Sequence, residues 1–347
     1  MSDKISLIDT EALSGVAVKL LEMIEDGVGW VVTPKGGRKD FVDALEYYKK
    51  SILEDDAIPP LVKASRIATA KRDLIQYINQ GKLIEKTIPL LQQDATLASL
   101  DLDWLSYFFS YAKNIQDETI QTIWANILAE ECNGDTSIQR NLIHVLSLLD
   151  TTTAKAFMRL CRIVIKIPIE QINYTFESRY LPKFIPLITP FRWYSIFFVL
   201  PDDSVEKKIV MQYKSCLPSP EQLAIMKELG LINIREDTKA EFGYPYNFGL
   251  THYNFNEKGR SSNEYVLTGV TRNDYLIQYY EDKFKVVPNR EKYAQDPDEI
   301  KLGLVQLSSI GEMLYRMIAI EKIEGFDVFL EKFFQARGFV LEKVSPI

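Results

Sequence analysis

Four short segments with helical periodicity, separated by turns and helix caps, fill the stretch from residue 102 to residue 167. In the clearest of them apolar residues recur every three or four positions, which places them on one face of a helix: Ile120, Ile123, Trp124, Ile127 and Leu128. Gly134 ends this helix, because glycine accepts the left-handed conformation of a helix C-terminus. Thr136 and Gln139 form a capping-box pattern for the next helix, and Asp150 opens the fourth. The spacing predicts a helical bundle core over this stretch.

Residues 1–100 carry further helical stripes, interrupted by turns at residues 33–37 and at the Pro59-Pro60 pair. Glycine and proline pairs end helices, so we predict a helical N-terminal region with separate helices around each turn. The stripe over residues 13–30 has an apolar face that can pack against the protein or lie on a membrane surface. Its three acidic residues disfavour an anionic membrane, so we expect packing and no membrane partner.

The composition changes after Pro168, where prolines, aromatic residues and β-branched residues become frequent. We therefore predict a domain boundary between a bundle core over residues 101–167 and a C-terminal domain over residues 168–347. A capping box at Ser219 opens a short helix that leads into a strand, and further strands precede a helix at Ser309. This order predicts a winged-helix-like module with a small antiparallel sheet. The predicted fold class is α+β, mainly α.

The charge balance and the cysteines limit the partners and the compartment. The chain has 48 acidic and 41 basic residues and a net charge of −7, so its total charge does not attract nucleic acid or anionic lipid. The three cysteines are widely spaced and lack a CxxC pair, which is typical of reduced thiols. The first residues lack the pattern of a secretory signal peptide. We predict a cytoplasmic location.

His144 and His252 are the whole histidine content of the chain. A histidine-based triad or metal site would have to use one of them, and the chain lacks the HExxH pattern and the glycine-rich phosphate loops. Acidic clusters at residues 202–208 and 298–301 are the alternatives for a metal-dependent nuclease, although ordinary turn chemistry also explains them. We predict no catalytic residue, no metal and no cofactor, and we lean against an enzyme.

Four basic residues recur in the fourth predicted helix at spacings of four, three and four: Lys155, Arg159, Arg162 and Lys166. On one continuous helix this spacing gives a basic stripe on a single face. Such a face can hold a phosphate backbone, or an acidic protein, without reading a base sequence. The alternatives are a solvated face or ion pairs with Glu130, Glu131 and Asp135.

Residues 124–131 have the pattern W-A-x-[IL]-L-A-x-E, and related positions continue to residue 161. This pattern resembles an uncharacterised bacterial domain family of unknown function. It is more loosely similar to the abortive-infection alpha proteins, which share a helical W-A-x-L-L-A core. Among the positions that match the family pattern, we take six as our motif set: Trp124, Leu128, Ala129, Glu131, Arg140 and Phe157.

The resemblance implies a bacterial or phage-linked cytoplasmic protein in anti-phage defence, and it carries over no catalytic residue. The motif also has a structural interpretation, in which Trp124 and Leu128 are core residues and Glu131 pairs with Arg140 across a helix turn. We predict a non-enzymatic interaction protein whose partner is another protein or a second copy. The alternative is a nucleic-acid-binding or nuclease-like effector that uses the basic stripe, and its binding would weaken steeply with salt.

Overall fold

A computed structural model describes most of the chain in two compact units, Met1–Thr151 and Thr152–Ile347. The described residues are 13–31, 38–95, 97, 100–134, 138–166, 184–188, 205–234, 265–268, 275–289, 299–303, 305–318, 320–335 and 338–344. Along the sequence, the boundary between the units falls within the predicted bundle core, before the predicted boundary at Pro168. The three-part division of the chain stays a prediction.

The described residues of unit 1 form helices joined by turns and contain no strand. Its helices are α1 (Gly15–Val28), α2 (Arg38–Leu53), α3 (Pro60–Thr87), α4 (Leu102–Ala112), α5 (Glu118–Asn133) and α6 (Arg140–Ser147). Caps explain several of these ends, and the cap at Gly134 is the predicted one. Ser14 accepts a hydrogen bond from the backbone of Ala17, and Gly29 and Gly134 end α1 and α5 with φ angles of 75° and 77°. Helix α1 packs on α4, so the expected packing of the first stripe is confirmed.

Aromatic side chains fill the core of unit 1. Trp124 is completely buried, and its ring centre lies 5.0 Å from that of Phe108. Phe108 also stacks on Trp104, whose indole nitrogen donates to the carbonyl of Ile138 at 3.0 Å. That bond ties the segment before α6 to α4. The second half of α3 packs on α5 and completes this core.

Unit 2 combines helices with short antiparallel strands. Its helices are α7 (Thr151–Cys161), which begins at the boundary, α8 (Val205–Cys216), α9 (Pro220–Glu228), α10 (Ser309–Met317) and α11 (Phe326–Gln335). Its strands are β1 (Val164–Lys166), β2 (Phe184–Pro186), β3 (Ile232–Ile234), β4 (Tyr265–Thr268), β5 (Tyr275–Tyr279), β6 (Asp282–Pro288), β7 (Glu299–Gly303), β8 (Val305–Leu307) and β9 (Phe339–Val344).

The strands of unit 2 form one five-stranded sheet in the order β2-β1-β5-β6-β9 and two separate pairs, β3-β8 and β4-β7. All of the pairings are antiparallel. Rings from α8 and α11 pack together in the core, with ring centres of Tyr213 and Phe329 4.5 Å apart. Tyr213 also donates to the carbonyl of Leu187 at 2.6 Å, which ties α8 to the segment after β2. The predicted fold class, mainly α with a small antiparallel sheet, is confirmed.

The details of the caps and strands differ from the predictions in part. The capping box at Ser219 is confirmed, with both of its hydrogen bonds present. The helix predicted at Ser309 does begin there, and its N-cap is the preceding residue, Ser308. Helix α6 begins at Arg140, after the predicted start at Thr136, which lies outside the described residues. Strands β3 and β8 pair between α9 and α10, and the winged-helix interpretation of this arrangement stays a prediction.

Candidate functional site

The four residues of the basic stripe do not lie on one helix. Helix α7 ends at Cys161, so Lys155 and Arg159 are helical, Arg162 lies in the following turn and Lys166 lies in β1. The prediction of a continuous basic face is therefore wrong. The cause is the β-branched run over residues 163–165, which is buried and pairs with β2 instead of extending the helix.

Arg162 links separate segments of unit 2 through two hydrogen bonds. Its Nε donates to the carbonyl of Glu321 at 3.0 Å, and its own carbonyl accepts from the Tyr279 hydroxyl at 3.1 Å. Burial raises the pKa of the Cys216 thiol, and the nearby charges of Arg162 and Arg159 oppose that rise. Both arginines are half-buried, so they offer less of their charge to a large ligand than the stripe model requires.

The two lysines of the basic stripe are exposed. Lys166 Nζ lies 5.9 Å from the ring centre of Phe184, and Arg316 Cζ lies 5.4 Å from the same ring. Two cations on one aromatic ring are worth about 0.5–1 kcal/mol each at an exposed site. This arrangement stabilises the β1-β2 edge of the sheet.

Buried thiols and phenols lie close to Arg162. Burial raises the pKa of Cys161, Tyr279 and Tyr280, and it raises the pKa of Tyr315 to about 12. These groups are therefore neutral at physiological pH, and the thiolate that nucleophilic chemistry needs is suppressed. Tyr280 has a positive φ of 54°, which places it in the tight turn between β5 and β6. Its buried hydroxyl finds no hydrogen-bond partner among the described residues.

Most of the motif set is core. Trp124, Leu128, Ala129 and Phe157 are all buried, and the structural interpretation predicts this for Trp124 and Leu128. The indole nitrogen of Trp124 finds no acceptor among the described residues. The aromatic bulk of this residue, rather than a hydrogen bond, is what the packing uses.

Glu131 and Arg140 have separate partners, so the expected ion pair between them is not formed. Glu131 Oε2 accepts from the backbone nitrogen of Ile138 at 2.7 Å, and burial raises the pKa of this carboxyl. Arg140 lies 3.7 Å from the carboxylate of Asp101 and over the ring of Tyr107 at 5.6 Å. Glu131 thus fixes the segment that enters α6, and Arg140 joins the start of α6 to α4.

The most exposed apolar surface of unit 1 lies on α2 and the first half of α3, residues 38–75, which we call the arm. In α3 the buried residues begin at Asn79, and α2 packs along α3 through Leu45 and Ile52. The large apolar side chains that this packing leaves exposed are Val42 (47%), Tyr47 (77%), Tyr48 (42%), Leu53 (56%), Leu61 (82%) and Val62 (40%). The arm therefore presents an apolar surface that the described residues do not cover.

Charges surround this apolar surface. A shallow open depression on α2 is lined by Glu46, Tyr47, Lys49, Lys50, Leu53 and Glu54. Lys49 pairs with Glu46 at 2.5 Å, and Lys50 lies 3.8 Å from Glu54. Because these pairs are exposed and local, each contributes about 0.3–0.5 kcal/mol or less to stability. They hold the rim of the depression without closing it.

Sequence reasoning missed the arm as a functional surface, although a signal was present. The stripe formed by Leu45 and Ile52 accounts for the packing face of α2. Tyr47 and Leu53 lie off that stripe, and Leu61 precedes the packed part of α3. Apolar residues that do not fit the packing periodicity indicate a second contact surface.

The other candidates give no site. Among the described residues, no group of three or more histidine, cysteine, aspartate or glutamate side chains can hold a metal ion. His144 is exposed beside the ring of Tyr111, and His252 lies outside the described residues. The side chains of the acidic clusters at residues 202–207 and 298–301 lie outside the described set as well. No helix within the described ranges is long and apolar enough to cross a membrane.

Comparison with known families gives one match. Residues 66–183 match the model of a family described as a protein of unknown function (DUF2806). The match covers about a third of the chain and contains the whole motif set, so the predicted likeness to an uncharacterised domain family is confirmed. It runs from α3 through α7 and β1 to the residue before β2. No curated protein and no solved structure matches the chain.

Proposed function

We propose that this protein is a non-enzymatic interaction protein that binds another protein chain through the arm. The observation that supports this proposal is the exposure of large apolar side chains there, above all Tyr47 at 77% and Leu61 at 82%. Tyr47 and Leu53 also line the same depression on α2, and apolar side chains that gather on the surface of a folded protein are typical of a binding surface. Tyrosine is also one of the residue types enriched in protein interfaces, because it covers a large area at a low cost in conformational entropy.

The arm is suited to this role by its position in the fold. The second half of α3 is anchored in the core, and Asn79 donates to the carbonyl of Lys113 at 2.9 Å. Tyr77 stacks on Trp30 and donates to the carbonyl of Val31 at 2.7 Å. A binding surface on a helix that is rigidly held at its base needs less ordering when the partner docks.

Nucleic acid is the less favoured partner. The arm combines both charge signs, and the basic stripe is divided between a helix, a turn and a strand. A phosphate backbone requires several cations presented together. Arg162, the third member of the stripe, already donates to a backbone carbonyl.

The biological setting of the proposal comes from the motif resemblance, which implies anti-phage defence in a bacterium. The three cysteines are buried and free, as expected of a protein in the reducing cytoplasm. We therefore propose a cytoplasmic defence protein that acts through contacts with another chain. Plaque counts on cells with and without the gene test the defence role, and equal counts across a phage panel would contradict it.

Site-specific photocrosslinking tests the binding surface. We would place a photoreactive phenylalanine analogue at Leu61 in the arm, express the full chain in cells and irradiate. The expected result is a discrete crosslinked species of higher mass. The matched control position is Leu148, which is 57% exposed in unit 1 but lies outside the arm.

The comparison of the two positions decides the outcome. Crosslinks at Leu61 and none at Leu148 support the arm as the interface. Equal crosslinking at both positions would show random collision, and no product at Leu61 would overturn the proposed function. Mass spectrometry of the product identifies the second chain, including a second copy of this protein.

A further inference from the structure

We infer that the arm docks on the arm of a second copy of this chain, in an antiparallel arrangement with two-fold symmetry. This inference rests on the proposed function and names its partner. The distribution of charge along the arm and the apolar surface between the charges support this arrangement.

The two ends of the arm carry opposite charges. The turn between α2 and α3 is acidic, with Glu54, Asp55 and Asp56 in succession, and we call it the tip. Farther along α3, Lys71 and Arg72 form a basic stem. Asp56 and Lys71 each lack a charged or hydrogen-bonding partner within the described part of the chain. Lys50 pairs with Glu54, and Lys63 donates to the carbonyl of Leu53, so the described residues leave two carboxylates of the tip, those of Asp55 and Asp56, without an ion pair.

The apolar surface lies between these ends. Leu53 and Leu61 are next to the tip, and Tyr47 lies on α2 about two helical turns from the tip, which is about 10 Å. In a two-fold antiparallel pair, each tip, with Leu53 and Leu61 beside it, lies opposite the stem of the other copy, and the two copies of Tyr47 lie near the axis. Opposite charges and apolar side chains are then satisfied by the same arrangement. A parallel arrangement would place tip against tip, where like charges repel.

The size of the arm sets the strength of the contact. Helix α2 has 16 residues and is about 24 Å long, and two helices side by side are about 20 Å wide. One face of the arm can therefore bury on the order of 500 Å² per copy, or about 1,000 Å² in total, which is the low end for a specific interface. We expect a reversible dimer with a dissociation constant in the micromolar range.

Charge reversal on the purified full chain tests the arrangement. The tip variant carries Glu54→Lys and Asp56→Lys, and the stem variant carries Lys71→Glu and Arg72→Glu. Sedimentation velocity from about 1 μM to about 200 μM measures the dimer. We expect the wild-type chain to dimerise, and each variant alone to associate at least tenfold more weakly because both tip–stem contacts become repulsive.

Mixing the two variants restores both contacts, because a basic tip then meets an acidic stem and an acidic tip meets a basic stem. The expected result is a mixed dimer that approaches wild-type affinity. The four-fold variant, which combines all of these substitutions, regains self-association for the same reason. It also serves as the folding control, since a chain that was unfolded by the substitutions would not dimerise. Leu148→Ser, outside the arm, leaves the dimer unchanged.

Three outcomes would overturn the inference. A wild-type chain that stays monomeric throughout the concentration range has no such dimer. A dimer that survives both charge reversals uses another surface. Variants that separate but do not recombine, while circular dichroism shows that they are folded, exclude the antiparallel tip–stem pairing. If the arm crosslinks to a different protein in cells while the pure chain is monomeric, the proposed function stands and the self-docking fails.

Discussion

Gly311 lies where the start of α10 approaches β3 most closely. A Cβ atom at this position would lie 1.9 Å from the carbonyl oxygen of Leu231, whereas real Cβ contacts are essentially never below 3.0 Å. The same oxygen accepts a hydrogen bond from the backbone nitrogen of Ser308 at 3.0 Å. Gly311→Ala therefore forces the strand and the helix apart by about 1 Å, a small-to-large change of the kind that strains a packed core.

The expected cost follows from these two contacts. Overpacking a close contact costs about 1–3 kcal/mol, and weakening the Ser308–Leu231 hydrogen bond adds about 1 kcal/mol. We expect Gly311→Ala to lower the free energy of unfolding by about 2–4 kcal/mol. Urea denaturation followed by circular dichroism measures it as a shift of the midpoint with the slope unchanged.

The matched control is Ser309→Ala, two residues earlier in the same helix, because Ser309 is exposed. Its effect should stay within about 0.5 kcal/mol. If Gly311→Ala also stays within that limit, the close approach of the two backbones is not a constraint and the reasoning is refuted.

Three further predictions concern unit 1 and the buried thiols. Trp124→Ala should cost about 3–5 kcal/mol of unfolding free energy. Trp124→Phe should cost much less, because it keeps an aromatic ring in the core and loses no hydrogen bond. Equal costs of the two variants in urea denaturation would contradict this. Burial raises the pKa of Glu131, so its ionisation lowers stability as pH rises from its unfolded value, near 4.5, through its folded value. Glu131→Gln should remove that pH dependence and keep the hydrogen bond to Ile138, whereas Glu131→Ala should lose the bond. Thermal melts at pH 4 to 7 measure the stability of both variants. An unchanged pH profile for Glu131→Gln would count against the raised pKa. Burial also raises the pKa of Cys132 to about 12, so a thiol reagent should label it only after denaturant is added, and rapid labelling of the folded chain would be the contrary result.

The sequence predicts helices well where the helical signals are local. Stripe periodicity and the caps at Gly134 and Ser219 identify α5 and α9, because these signals act within a single turn of the chain. Strand β9 was not predicted from the sequence, and its six residues follow α11. A short strand is defined by its distant partner, here β6, which no local pattern reveals.

The candidate site was predicted only in part. The four-three-four spacing of the basic stripe fits a helix, but the spacing alone does not show that Ile163, Val164 and Ile165 convert the segment to a strand. Pairing with β2, some twenty residues later, favours the strand over a continued helix. In the arm, the sequence identifies the packing stripe, whereas the exposure of Tyr47 depends on where the bundle ends and is a property of the tertiary fold.

The long-range pairing of β1 has a consequence for the order of events during synthesis. Lys166 in β1 is opposite Gln278 in β5, so 112 residues separate the two strands along the chain. At about 5–20 residues per second, a ribosome needs roughly 6–20 s to make that stretch. The helices of unit 1 use contacts between segments that are close in sequence and can fold during this interval. Until β5 is made, the edge of the short strand β1 that pairs with it stays unpaired. Because unpaired strand edges promote aggregation, we expect chaperones to act on the newly made chain from α7 onwards.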